Sequence, residues 1–250
     1  MLFADNVIIT PAHMAKIKRV ILKLTGKIFG TDNEPVSFAK YDKVAKQIVN
    51  ITKGAEYEIA IVIGGGNILR GRNAPKEMDH TEADSMGMLA TVINGVGLRE
   101  ALVRNGSKDA RLMTSLSIPV IAEPYIRLKA RDHLDQKRII IIAGGLGIPN
   151  FSTDSAVAQY ADELNCDIIL KASNVDGVYD SDPHKNPKAK LLRDITYKKA
   201  MYNDLAILDK TAFAICEKSG IPVFVFDFDN LSQLPKIVKG DYSSGTLIHT

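Results

Sequence analysis

Two hydrophobic patterns alternate along the chain. Residues 20–24, 58–63, 139–143, 167–171 and 221–226 are short apolar runs, almost unbroken. Such runs predict strands covered on both faces, since a half-exposed strand would alternate apolar and polar positions. Between them, apolar residues return every three or four positions. Phe38, Tyr41, Val44, Ile48 and Ile51 predict a helix capped by Ser37 and stopped at Gly54. A second helix is expected from near Glu82, with Met86, Leu89, Ile93 and Val96 on one face, to about Asn105-Gly106. A third opens at Thr153-Asp154 and carries Val157, Tyr160, Ala161 and Leu164; a fourth runs from Asp209 to Ser219 and closes at Gly220. Strand and helix in alternation predict an α/β fold, a three-layer αβα sandwich with a mainly parallel central sheet. Residues 1–14 follow neither pattern and read as a flexible extension, leaving 15–250 as a single domain with no linker long enough to divide it.

The polar chemistry gathers where the predicted strands end. Residues 58–63 run into Gly64-Gly65-Gly66-Asn67-Ile68-Leu69-Arg70-Gly71, a stretch where backbone N–H groups and one guanidinium are free to converge on a phosphate. A tight strand-to-helix turn explains three glycines equally well. The device recurs, however. Residues 20–24 lead to Thr25-Gly26, residues 139–143 to Gly144-Gly145-Leu146-Gly147, and residues 167–171 to a polar segment ending in Asp182-Pro183. Parallel sheets bind ligands beyond the carboxyl ends of their strands, so four such loops predict one cleft. Lys23 and Lys171 interrupt two of these runs at equivalent positions. Each alone is an edge residue or a cation aimed into the cleft; as a pair they suit phosphoryl transfer, where charge spreads over the moving group. No P-loop signature occurs, and Leu69 stands where a dinucleotide turn needs glycine.

Composition narrows the class. With 46% hydrophobic and 24% charged residues over 250 positions, the chain fits neither disorder nor a membrane protein. No unbroken apolar run is long enough to span a bilayer and no secretory signal is evident, so a cytoplasmic protein is expected. A net charge of +3, spread along the chain, gives no ground for nucleic-acid binding. Cys166 and Cys216 read as buried thiols rather than as a disulfide or metal ligands.

Lys23-Leu24-Thr25-Gly26, residues 64–71, Asp84-Ser85-Met86-Gly87-Met88-Leu89-Ala90-Thr91, residues 143–154 and residues 171–183 resemble, in order, the motifs of the bacterial uridylate (UMP) kinases of the amino acid kinase superfamily. The resemblance implies ATP and UMP as substrates. By it, Lys23, Leu24, Thr25, Gly26, Gly66 and Arg70 hold the ATP phosphates, and Ser173, Asn174, Tyr179 and Asp182 surround the adenine and ribose. Gly65, Asp84, Leu146, Gly147, Ile148, Pro149, Asn150, Phe151, Ser152 and Thr153 form the UMP side. Lys23, Arg70 and Lys171 neutralise the transferred group, with Asp154 and Asp209 orienting the lysines.

Plainer roles stand beside these. Asp84 also fits a carboxylate stabilised at a helix N-terminus, Asp154 an N-cap and Asp209 a first-turn acid. Tyr179 also fits core filler, and Asp182-Pro183 a turn. Leu146, Ile148 and Asn150 replace a threonine, an asparagine and an aromatic of the family pattern, leaving backbone N–H groups of Gly145 and Gly147 to serve the acceptor. Mg²⁺ is expected on the ATP phosphates, because the sequence has no compact Asp/Glu/His cluster. The resemblance further implies a homohexamer built through helices of the N-terminal half, and inhibition by UTP. Residues 29–37 depart from the family's GTP-responsive loop, and that regulation is not carried over. The rival readings are another kinase of this fold with a different acceptor, or a non-catalytic nucleotide- or oxyanion-binding protein.

Overall fold

The computed structural model describes residues 16–31, 33–69, 75, 77–181, 186, 188–203, 205 and 207–250. The expected extension at 1–14, Arg70 and Asp182 lie outside the described residues.

In chain order the elements are β1 (Arg19–Leu24), α1 (Phe38–Thr52), β2 (Glu58–Ile63), α2 (His80–Arg104), β3 (Ala110–Thr114), β4 (Glu123–Pro124), α3 (Arg127–Asp135), β5 (Ile139–Ala143), α4 (Thr153–Glu163) and β6 (Ile168–Ser173). There follow β7 (Val178–Tyr179), β8 (Leu191–Leu192), β9 (Asp194–Thr196), α5 (Tyr197–Tyr202), α6 (Lys210–Ser219), β10 (Val223–Asp227), α7 (Leu234–Ile237) and β11 (Gly245–His249). Nine strands form one sheet in the order β4-β3-β5-β2-β1-β6-β10-β11-β9, and β7 pairs with β8 in a separate hairpin. Every neighbouring pair in the large sheet is parallel except β10 and β11.

The unbroken apolar runs follow from this layering. Val20, Leu22, Leu24, Ile59, Ile61 and Ile63 pack against Tyr41, Val44 and Ile48 of α1 and Leu98 and Leu102 of α2. The alternate residues Ile21, Ala60, Val62, Ile140 and Ile169 face the other way, onto Leu134 of α3, Val157 and Ala161 of α4 and Phe213 of α6. Successive side chains of one strand thus serve two cores, and both must be apolar.

Two expected helix faces are corrected. Phe38 is 73% exposed and leaves the core of α1 to Tyr41, Val44, Ile48 and Ile51. On α2, Met86, Leu89 and Ile93 point outward, while Ala83, Ala90, Gly95, Leu98 and Ala101 turn inward. The cause is close packing. A Cβ on Gly95 would lie 2.6 Å from Leu112 Cδ1, so at this point of the helix only glycine fits against β3. The same helix is the one long apolar helix among the described residues. It is 25 residues long with a mean hydropathy of 1.2 in its most apolar window, enough by length and composition to cross a bilayer. Its apolarity is spread over Ala, Met, Val and Leu between polar residues, so no unbroken run announces it. Here it packs on α1, β3 and β5.

Cys166 and Cys216 are buried and unbridged, and burial raises both thiols well above their ordinary range. Gly220, at φ +70°, ends α6 in the left-handed conformation that glycine tolerates without strain.

Candidate active site

The strand order reverses between β1 and β6. From β1 the chain lays β2 beside it, goes out to β3 and β4, comes back to fill in β5, and then lays β6 on the other side of β1. Such a switch point opens a crevice at the carboxyl ends of the two strands, because the loops leave in opposite directions. Lys23 and Lys171 sit there as direct partners in the β1–β6 register. The four strands whose ends were expected to share a cleft, β5, β2, β1 and β6, are consecutive and parallel.

Both lysines lie on the face that carries α4, and the N-terminus of that helix meets them. Ser152 is its cap, accepting from the N–H groups of Asp154 (2.9 Å) and Ser155 (3.3 Å). Asp154 is therefore not the N-cap. Its carboxylate stands between the cations, with Lys171 Nζ donating to Oδ2 at 2.8 Å and Lys23 Nζ 3.2 Å from Oδ1. The second contact is an ion pair off the hydrogen-bonding direction, and Oδ1 accepts no hydrogen bond. Burial by itself would raise the pKa of Asp154, but the two ammonium groups outweigh it and hold the carboxyl below its usual range. Lys171 also donates to the carbonyl of Ile207, a partner that sequence reasoning missed. Burial lowers the pKa of Lys171; Asp154 offsets part of this and Lys23 adds to it. Two cations against one carboxylate leave a net positive charge, a setting for an anion.

Asp209 is one step removed. It caps α6 through the N–H of Ala212 (2.8 Å) and accepts from the hydroxyls of Ser152 and Ser155. No hydrogen bond or ion pair to Lys23 or Lys171 is formed by Asp209; its influence on Lys171 is Coulombic. It holds the start of α4, and thereby Asp154.

Beside this group lies a pocket of about 210 Å³, lined by Gly65, Gly66, Asp84, Ile148, Phe151, Ser152 and Thr153 among the expected residues. Leu69, Ala83, Gly87, Met88, Thr91 and Gly145 complete it; Gly87, Met88 and Thr91 belong to the motif beginning at Asp84 and were not singled out. A larger cavity, about 590 Å³, opens at the amino ends of the strands near Lys16, Tyr57 and Tyr242. It holds none of the convergent charges, so size does not choose the site.

The glycine turns are built by close approach. A Cβ on Gly65 would stand 2.8 Å from Ala90 Cβ and 2.9 Å from the Gly87 carbonyl, so the 64–66 turn sits directly on α2. Gly144, Gly145 and Gly147 have positive φ and turn tightly, tied by Gly144 N–H to Thr91 Oγ1 (2.7 Å) and Tyr160 hydroxyl to the Gly145 carbonyl (2.7 Å). One expectation is corrected by this turn. The N–H of Gly147 donates to the Gly144 carbonyl at 3.0 Å and is spent inside the loop rather than offered to a ligand. Leu146 packs against the second core, and Gly147, Pro149 and Asn150 stay out of the pocket lining. Asn150 instead donates its N–H to Asp84 Oδ2 at 2.7 Å. Asp84 is in the second turn of α2, because Asp79 caps that helix from Thr81 N–H (2.8 Å).

On the opposite side of Lys171, Ser173 ends β6 and Asn174 is exposed beyond it. Tyr179 lies on the β7–β8 hairpin with its hydroxyl donated to Asp176 at 2.8 Å, and is not core filler. Leu24 is fully buried, and Thr25 and Gly26 lead out of β1. Among the described residues no group of three or more His, Cys, Asp or Glu side chains is arranged to hold a metal ion. Asp154 is already engaged by two ammonium groups.

This arrangement has known counterparts. The family model of the amino acid kinase family matches residues 18–227. The chain belongs to the amino acid kinase family. Within it, the uridylate kinase of Corynebacterium efficiens is 40% identical, over 93% of this chain and 95% of its own. The solved UMP kinase of Bacillus anthracis superposes with a TM-score of 0.89 at 38% identity, covering 94% of this chain and 97% of its own. That of Ureaplasma parvum gives 0.86 at 32% identity, covering 94% and 100%. By these relationships the family member described here is a nucleoside monophosphate kinase, built on the αβα sandwich that the sequence predicts.

Proposed function

We propose that the protein transfers the γ-phosphoryl group of ATP to UMP, giving UDP and ADP, in the cytoplasm as a step of pyrimidine nucleotide synthesis. The observation that carries this reading is the in-register pair Lys23 and Lys171 sharing Asp154 beside the pocket of Asp84. In the proposal UMP takes the pocket formed mainly by the N-terminal half, its ribose hydroxyls donating to Asp84 and its phosphate end lying against Gly65. ATP takes the other side, with its base and ribose near Ser173, Asn174, Tyr179 and Asp182 and its phosphates over Thr25-Gly26. The second ionisation of a phosphate monoester falls near ~6, so the attacking oxygen of UMP is already charged at neutral pH and no general base is required. The protein's task is to hold two polyanions in line. Lys23 and Lys171 take up the charge on the transferred group, and Asp154 keeps their ammonium groups aimed. Mg²⁺ fits as an ion carried by the ATP phosphates, since the described residues offer no carboxylate cage; when bound it adds positive charge over those phosphates.

A homohexamer and inhibition by UTP belong to the same proposal. The outward stripe Met86, Leu89 and Ile93, each nearly half exposed, supports self-association through α2. The reading is tested by ADP release from Mg-ATP with UMP, dUMP, CMP, AMP, GMP, carbamate and aspartate as acceptors. Release that depends on UMP, with kcat/KM highest for UMP, is expected. Release with none of the nucleotides, or a preference for carbamate or aspartate, would overturn it.

A further inference from the structure

We infer that Asn94 is a positioning residue that fixes the two glycine turns flanking Lys23 relative to one another; the inference rests on the reading of the site given above. Asn94 lies in the middle of α2 and is fully buried, on a face whose other members are apolar apart from Thr91. A primary amide there is costly unless every polar atom is paired, and an apolar residue of similar volume would serve packing alone. Every hydrogen-bonding position of this amide is in use. Its Nδ2 donates to the Gly64 carbonyl (2.8 Å) and to Asn67 Oδ1 (2.8 Å). Its Oδ1 accepts from the Tyr41 hydroxyl (2.6 Å) and from Asn67 Nδ2 (3.0 Å). Two donors and two acceptors match the full capacity of the side chain. The Gly64 carbonyl only accepts, which settles which end of the amide faces it.

The consequence lies in what the bridge touches. Asn67 Oδ1, held by Asn94, is 2.5 Å from the point where a Cβ on Gly26 would stand, and Gly66 N and Gly64 O are within 2.8 Å of it. The Thr25-Gly26 turn after β1 therefore rests on the surface that Asn94 organises. Gly64 N–H returns to the Leu24 carbonyl at 2.9 Å, closing the circuit one residue after Lys23. Asn67 Nδ2 also donates to the Pro35 carbonyl at 2.7 Å, which ties in the segment before α1. One buried amide thus sets the height of both turns against the lysine that meets the transferred phosphoryl group. Asn94 touches no substrate in this scheme; it acts through Gly64, Asn67 and Gly26.

The test compares Asn94→Leu, which keeps the branched four-atom side chain and removes the bridge, with Leu102→Ala, a core deletion near the far end of the same helix. Thermal unfolding, kcat and KM for UMP and ATP, and amide exchange of the unliganded protein are measured on each. Asn94→Leu is expected to lose roughly 10²-fold in kcat, the scale of a misplacement of about 1 Å, with less change in either KM. The amides of Ile68 and Leu69, which bond to the Gly65 carbonyl at 3.0 and 3.1 Å, should exchange faster while α2 keeps its protection. Leu102→Ala should unfold at lower temperature with kcat unchanged. If Asn94→Leu does not fold, Tyr41→Phe removes one partner of the bridge and should show the same exchange change with a smaller loss of kcat. Wild-type kcat and exchange at 64–69 in the Asn94 or Tyr41 variant would overturn the inference, as would a fall in kcat for Leu102→Ala that tracks its lost stability. A wild-type protein that releases no ADP with UMP would remove the proposed function, and the exchange of the unliganded protein would still decide whether Asn94 holds the turns.

Discussion

At Lys171, burial works against the ammonium, Asp154 restores part of its stability and Lys23 takes some away, so its pKa is lowered from 10.5. A cation that must be charged to steady the transferred phosphoryl group then sets an alkaline limit on activity. In the free enzyme, kcat/KM for ATP should fall with a midpoint below 10.5, and Lys171→Arg should move that limb upward, because arginine stays protonated. Stability should respond with the opposite sign. Between the folded and unfolded pKa values the native state binds fewer protons than the unfolded chain, so the contribution of Lys171 to stability rises with pH and is lost as pH falls through the folded value. Denaturant titrations of wild type and Lys171→Met across that window check it, and a flat difference would contradict it. Lys23 and Lys171 were legible in the sequence because a cation inside an apolar run has few explanations. Asn94 was not, since a polar residue in a helix reads as surface until the turn of the helix is known. Nor was the Ile207 carbonyl, which no side-chain pattern marks.

Among the elements, α2 shows most clearly what periodicity misses. In its first half Met86, Leu89 and Ile93 face outward while Ala83 and Ala90 face inward, the reverse of what side-chain hydrophobicity alone suggests. Distance is the reason at two points: β3 comes so close at Gly95, and the 64–66 turn at Ala90, that nothing larger fits there, while Val92, Leu98 and Leu102 fill the core beside them. Gly65→Ala should therefore push the turn off Ala90 and Gly87, costing about 1–3 kcal/mol of stability by overpacking. It should also raise KM for UMP more than KM for ATP, because the pocket lies between that turn and α2. Calorimetry with steady-state kinetics checks both, and an unchanged KM for UMP would separate the turn from the acceptor. The strands with unbroken runs, α4 and α6 were readable from sequence. The two-residue strands β4, β7 and β8 were not, being too short for any period; α3 carries too few apolar residues to show one, and α5, at six residues, is too short.

For the whole molecule, the αβα sandwich followed from the alternation of patterns, whereas the strand order that puts β1 next to β6 did not. Order depends on which crossover goes which way, and no single element carries that information. Among the apolar side chains left exposed are the stripe Met86, Leu89 and Ile93 on α2, and Val120, Ile121, Ile126 and Leu128 before and within α3. In the proposed hexamer the stripe is covered by another copy. Sedimentation equilibrium of wild type should give a multimer, and Leu89→Glu with Ile93→Glu a smaller species with unchanged circular dichroism. A monomeric wild type would contradict self-association through α2.

The central claim is that the carboxyl ends of β1 and β6 bring two nucleotides to one reaction centre. A crystal structure of the enzyme with UMP and a non-hydrolysable ATP analogue tests it most directly. The account predicts the γ-phosphate between the ammonium groups of Lys23 and Lys171, with the UMP phosphate in line and its ribose on Asp84. Nucleotides bound elsewhere, or a γ-phosphate remote from both lysines, would contradict it.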